Sequence, residues 1–161
     1  MESLGPAHRF TAGAVGPPGQ RIFYLEVSSR RGVEWYLVEK EQVAMLAGAA
    51  LEILERRGSA TAAPAPPLSG PAEPAFRVGR ISLGMVDDQI EVTLAPAGDT
   101  AEDDPLPPGS ISFTVDPALL EGMARRAVAV VAAGRPPCPW CSLPRDPGGH
   151  TCPASNGHLG K

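Results

Sequence analysis

The 161-residue chain is poor in aromatic side chains: four phenylalanines, two tyrosines and two tryptophans amount to 5% of it. A core must then rest mainly on Val, Leu, Ile and Ala, within a hydrophobic content of 43%. No long apolar run is present. "AMLAGAAL" and "AVAVVAAG" fall far short of the roughly 20 residues a spanning helix needs. The opening "MESLGPAHRF" lacks the basic-then-apolar order of a signal peptide. Three cysteines, odd in number and close together, make no disulfide framework. These features lead us to expect a protein of a reducing compartment, the cytoplasm. A surplus of positive charge is missing as well. At a formal net charge of -4, the chain has no general electrostatic attraction to nucleic acid or anionic membrane. Catalytic signatures are also absent: there is no Ser-His-Asp order, phosphate-cradling glycine motif or His-x-Glu deaminase pattern.

What the chain does have is glycine and proline, 18 and 19 of them, clustered as loops and linkers between compact pieces. "RFTAGAV" (9–15), "RIFYLEV" (21–27) and "VEWYLV" (33–38) alternate as strands, separated by the turns at 16–19 and 28–32. The period then changes from two to 3.6. Val43, Leu46, Ala47, Ala50, Leu51 and Leu54 make one apolar helix face. Arg56 and Arg57 suit the negative C-terminal end, and Gly58 closes it. The second half repeats the plan. "FRVGRISLGMV" and "QIEVTLA" flank Asp87-Asp88 as a hairpin, and "ISFTV" (111–115) is a third strand. Asp116 caps a helix that has Pro117 at its first position. Its expected face is Leu120, Met123, Ala124, Ala127, Val128 and Val131, each 77 residues after its counterpart in the first helix.

This pattern predicts an α+β fold of two pseudo-symmetric β-β-β-α units, a mainly antiparallel sheet with two helices on one face. The duplicated domain spans 1–134, with unit one at 8–58, a linker at 59–75 and unit two at 76–134. A small zinc-ribbon-like tail follows at 135–161. The linker "GSATAAPAPPLSGPAEPA" has almost no large apolar residues and is expected to be flexible, because little burial offsets its ordering entropy. "PAGDTAEDDPLPPG" (96–109) reads as a solvated acidic loop. "IFYL" and "WYLV" are apolar on both faces, so the outer face near Tyr24, Trp35 and Leu37 requires a cover. Sheet curvature, the tail, a second copy or a partner would each serve.

The tail carries all three cysteines, spaced Cys138-x2-Cys141-x8-His150-x-Cys152, with His158 beyond. A C-x2-C turn places two thiolates where both reach a metal at about 2.3 Å. Gly148-Gly149 supplies the reversal that returns His150 and Cys152. Such a donor set suits one structural, tetrahedral zinc ion. His158 is the alternative fourth ligand, and His8 reads as an ordinary strand-edge residue. "CPWC" also resembles a redox C-x-x-C, but Cys138 follows a helix stop and "SLPRDPGG" cannot be the helix such a motif precedes.

"GRPPCPWCSLPRDPGGHTCPASNGH", together with "RFTAGAVGPPGQRIFYLEV", resembles the mainly actinobacterial family called domain of unknown function 3090. Its closing pattern coincides with Gly149, His150, Cys152, Pro153, Asn156 and Gly157, while Ala154 stands where the family usually has arginine. The resemblance implies a zinc site and no assigned activity.

Asp87, Asp88 and Glu91 are the thin candidates for a catalytic cation site. A four-ligand zinc is closed and structural, whereas a site without His150 as ligand would be open to hydrolysis. Zinc ribbons also bind nucleic acid, but Arg135, Arg145 and Lys161 are few charges for that, and only Trp140 can stack. The reading that fits best is a non-catalytic interaction or scaffold protein. Trp140 would anchor the partner, and Tyr24, Trp35 and Leu37 would complete the surface, for another protein or a second copy.

Overall fold

Each half of the chain is an alternating segment that gives way to a 3.6-residue period, and the strands and helices follow that change. The computed structural model describes residues 1–17, 19–57, 62–70 and 72–133. The first half holds β1 (Glu2–Val15), β2 (Ile22–Ser29), β3 (Gly32–Val38) and α1 (Lys40–Arg57). The second holds β4 (Val78–Val86), β5 (Gln89–Pro96), β6 (Ile111–Val115) and α2 (Pro117–Ala132).

The six strands form one mixed sheet in the order β3-β2-β1-β6-β5-β4. Four of its pairings are antiparallel, and the central β1–β6 pairing is parallel. That seam corrects the expectation of where β1 begins. The expected strand starts at Arg9, and Gly5 has φ 76, yet Glu2, Ser3 and Pro6 pair with Ile111, Ser112 and Thr114 of β6. The partner that makes these residues a strand lies more than a hundred positions away.

The sheet curls until its edges touch. Leu37 of β3 bridges Arg77 in parallel. The Leu37 amide donates to the Phe76 carbonyl at 3.0 Å, and the Ala75 amide to the Trp35 carbonyl at 2.7 Å. Beyond this point β4 has no second strand partner among the described residues.

Both helices feed one core on the inner face of the sheet. Leu120, Met123, Ala124 and Ala127 of α2 meet Val43, Leu46, Ala47, Ala50 and Leu54 of α1 there. Two positions of the expected faces are exposed instead: Leu51 at 38% and Val128 at 50%. Val130 takes the place of Val128 in the core. A 3.6 period from Leu120 through Ala127 admits either a 128/131 or a 130/131 continuation, and the sheet under α2 selects between them.

The start of α2 is fixed as the sequence requires. Asp116 accepts from the Leu119 amide at 2.7 Å, and Pro117 opens the first turn. Its C-terminus has no basic residue of its own in the last turn. Arg21 of the neighbouring β1–β2 hairpin supplies one, donating to the Val130 carbonyl at 2.9 Å. The charge sits where the helix dipole is negative.

Candidate functional site

On β1 and β2, alternate side chains point away from the core: Arg9, Thr11 and Gly13 on one strand, and Tyr24, Glu26 and Ser28 on the other. This outer face needs a cover, and the chain itself provides it. Residues 62–69 run across it as a strap. The Ala62 amide donates to Glu121 Oε2 of α2 at 2.9 Å, and the Ala65 amide to the Gly122 carbonyl at 2.8 Å. The strap then crosses the part of β1 that β6 does not pair. Thr11 Oγ1 donates to the Pro66 carbonyl at 2.6 Å, and Arg9 donates to the Pro67 carbonyl. Leu68 lies on Gly13, where an added Cβ would overlap its side chain.

The strap ends on Glu26, whose side chain is 0% exposed. Glu26 Oε1 accepts from the Ser69 amide and hydroxyl, each at 2.8 Å, and from Trp35 Nε1 at 2.7 Å. Glu26 Oε2 pairs with Arg9 Nε at 2.7 Å. Burial pushes this carboxyl up, but the Ser69, Arg9 and Trp35 donors outweigh it and hold it below the ordinary carboxylate range.

These contacts correct the expected flexible linker over its described part, because Thr11, Arg9, Glu26 and α2 bind its backbone or side chains directly. The same contacts change the reading of the outer face. Trp35, expected as partner surface, is 2% exposed. Its indole is tied to Glu26 under the strap and meets the Tyr24 ring at a tilt of 51°, 4.9 Å between centroids. Tyr24 and Leu37 are half-buried. Cys138, Trp140, Cys141, His150, Cys152 and His158 lie outside the described residues.

Asp87 and Asp88 form the tip of the β4–β5 hairpin, with Asp87 at φ 54. Both are exposed, and Arg57 of α1 donates to the Asp88 carbonyl at 3.2 Å. They and Glu91 belong to no group of three metal-capable side chains, and none exists among the described residues. His8 is exposed on β1.

A groove of about 620 Å³ lies between α1, β4 and the acidic loop. Leu46 and Ile53 of α1 and Ile81 and Leu83 of β4 give it apolar walls, and Met45, 74% exposed, stands at its mouth. Four of its polar side chains are engaged within the fold. Gln42 donates to the Val78 carbonyl at 3.0 Å, Arg56 pairs with Glu52 at 2.9 Å, and Arg80 donates to the carbonyls of Glu102 and Asp104. Such a groove offers apolar surface beside the outer edge of β4, which has no second strand partner among the described residues.

Both places carry one sequence signal: "RFTAG" at 9–13 recurs as "RISLG" at 80–84. The pattern Arg-x-Ser/Thr-x-Gly carries the residues that hold the strap in its first occurrence. Its second occurrence lies on β4, beside the groove.

The sequence model for a protein of unknown function, DUF3090, matches residues 3–152. The chain belongs to the DUF3090 family. The DUF3090 match takes in both halves, the strap and the tail as far as Cys152. No curated protein and no solved structure matches the chain.

Proposed function

We propose that this DUF3090 protein is a non-catalytic interaction protein of the cytoplasm, carrying one structural zinc ion in its C-terminal tail. Cys138, Cys141, His150 and Cys152 are the proposed ligands. Three thiolates and an imidazole, two of them in a C-x2-C turn, are a donor set that fits tetrahedral zinc. The family match ends at Cys152 and so includes these four residues while leaving out His158. Trp140, held between two ligands, is the proposed anchor for a protein partner.

We further take the two halves to be copies of one β-β-β-α unit. Three features support this. The helix faces are 77 residues apart, and "RFTAG" and "RISLG" are 71 apart. The two parallel contacts match as well: the Leu37–Arg77 bridge corresponds, in those same two offsets, to the Thr114–Pro6 pair. A two-fold repeat of a three-stranded meander yields both parallel junctions of the curled sheet.

The observation that carries the interaction reading is the α1–β4 groove. It combines apolar walls with the outer edge of β4, which has no second strand partner among the described residues. Grooves between a helix and a strand edge recognise extended chains by main-chain pairing.

Metal analysis of untagged, freshly reduced protein tests the zinc assignment. The expected content is about one zinc per chain, lost in Cys138→Ser and lowered more by His150→Ala than by His158→Ala. A reversible Cys138–Cys141 disulfide without zinc would overturn it. A salt-sensitive gel shift with random nucleic acid would replace the protein partner by a nucleic acid.

A further inference from the structure

Two ways of holding a chain against a sheet differ in what they select. Apolar packing accepts any side chain of the right size, whereas directional bonds to the main chain select a conformation and a short sequence. The strap is held mainly in the second way. Ala63, Pro64, Pro66, Pro67 and Ser69 are exposed, while the main chain between them is bonded to the sheet. Thr11 Oγ1 donates to the Pro66 carbonyl at 2.6 Å, and Arg9 donates to the Pro67 carbonyl. Prolines suit this arrangement because they offer carbonyls, have no N–H to satisfy and hold an extended backbone at little entropic cost. Leu68, the one bulky aliphatic residue of the stretch, lies on Gly13. The next residue must carry both an amide N–H and a hydroxyl, since Ser69 gives one of each to Glu26 Oε1 at 2.8 Å.

Glu26 is the selective element. Its side chain is 0% exposed, and a carboxylate so placed carries a desolvation cost that apolar packing would avoid. Arg9 and Trp35 satisfy part of it from within the sheet. The serine of the strap completes it from outside, and a proline there could not.

We propose that the outer face of β1 and β2 is a binding site for extended Pro-Pro-Leu-Ser segments, with the strap as its resident, autoinhibitory occupant. The partner it fits is a protein with an exposed run of prolines, then a bulky aliphatic residue, then serine or threonine. The strap fixes that chemistry by filling each subsite. The inference goes beyond the interaction reading above and depends on neither the α1–β4 groove nor the zinc ion. Because the strap is tethered, it competes at an effective concentration of about millimolar. A segment free in solution at micromolar concentration is kept out until the strap is weakened. Its apparent affinity then rises by the same factor.

Fluorescence anisotropy of a labelled synthetic peptide, AAPAPPLSG from residues 62–70, with the full-length protein tests this. Two variants weaken the strap. Leu68→Asp removes the aliphatic contact with Gly13, and Ser69→Ala removes only the hydroxyl bond to Glu26. The peptide should bind each about tenfold tighter than it binds the parent, the factor that one hydrogen bond to a charged acceptor is worth. Ser69→Ala carries the comparison if Leu68→Asp lowers the melting temperature. Gly13→Val added to either variant fills the leucine seat and should abolish binding, as should Leu68→Asp placed in the peptide. No gain in affinity in the weakened variants would overturn the proposal. So would binding that survives Gly13→Val or the peptide substitution. Dimers of the Ser69→Ala protein that the peptide dissociates would put a second copy's strap in the site and overturn a separate partner.

Discussion

Replacing Glu26 by alanine should destabilise the protein by about 3–5 kcal/mol, the range for breaking a buried charge pair from one side. The substitution removes the acceptor of Arg9 Nε, of the Trp35 indole N–H and of the Ser69 amide and hydroxyl at the end of the strap. The Trp35 indole, in a residue 2% exposed, then has a buried donor without acceptor, which costs more than the bond itself contributed, while Arg9 and Ser69 stay within reach of water. The loss is a large share of a typical domain's 5–15 kcal/mol, so urea unfolding will show it as a lower midpoint. The strap should come loose in the variant. An unchanged midpoint would mean that Glu26 does not hold it. Glu26 also sets an acid limit. Its folded pKa is depressed, so its contribution is complete above the unfolded value near 4.3 and is lost as pH falls through the lower folded value. Glu26→Gln removes that titration, and the acid limb of stability against pH becomes shallower.

Phe113→Ala should be as damaging, through packing rather than charge. Phe113 sits on β6 at the parallel seam that joins the two halves, 1% exposed. Its ring meets Phe10 of β1 edge to face, 5.0 Å between centroids and 77° between planes. Truncating a buried phenylalanine costs about 3–5 kcal/mol in lost transfer and cavity terms, to which the aromatic pair adds. For a chain of this size Tm falls by roughly 6–20 °C on that scale. Val128→Ala serves as the control, since Val128 is 50% exposed and surface changes stay within about 0.5 kcal/mol. Equal losses in the two variants would place the core elsewhere.

The sequence made the local devices readable. The Asp87-Asp88 hairpin, the Asp116–Pro117 helix start and the inner positions of α1 follow from turn chemistry, capping and period alone. Long-range partners were not readable. Glu2 to Pro6 form a strand only because β6 pairs with them, and nothing in "ESLGP" specifies β6. The order of the strap is not readable from its composition, because small apolar residues and prolines bury little surface each. Its order comes instead from hydrogen bonds to Arg9, Thr11, Glu26 and Glu121, spread across 59 positions or fewer. Trp35 was misplaced for the same reason: Glu26 and Ser69 turn an aromatic that looks partner-ready into a buried donor. The shared pattern of "RFTAG" and "RISLG" is legible and marks the strap seat on β1 and the stretch of β4 beside the groove. Recognising it needs attention to the outward-facing positions of a strand, where Arg, Ser or Thr, and Gly recur with period two.

X-ray absorption at the zinc edge, on the full-length reduced protein, tests the proposed metal centre most directly. The expected spectrum is one four-coordinate zinc with three sulfur ligands near 2.3 Å and one nitrogen near 2.0–2.1 Å, the nitrogen lost in His150→Ala and retained in His158→Ala. Protein without zinc, or a zinc carrying a water oxygen in place of the His150 nitrogen, would contradict a closed structural site. The second outcome would return the tail to hydrolytic chemistry.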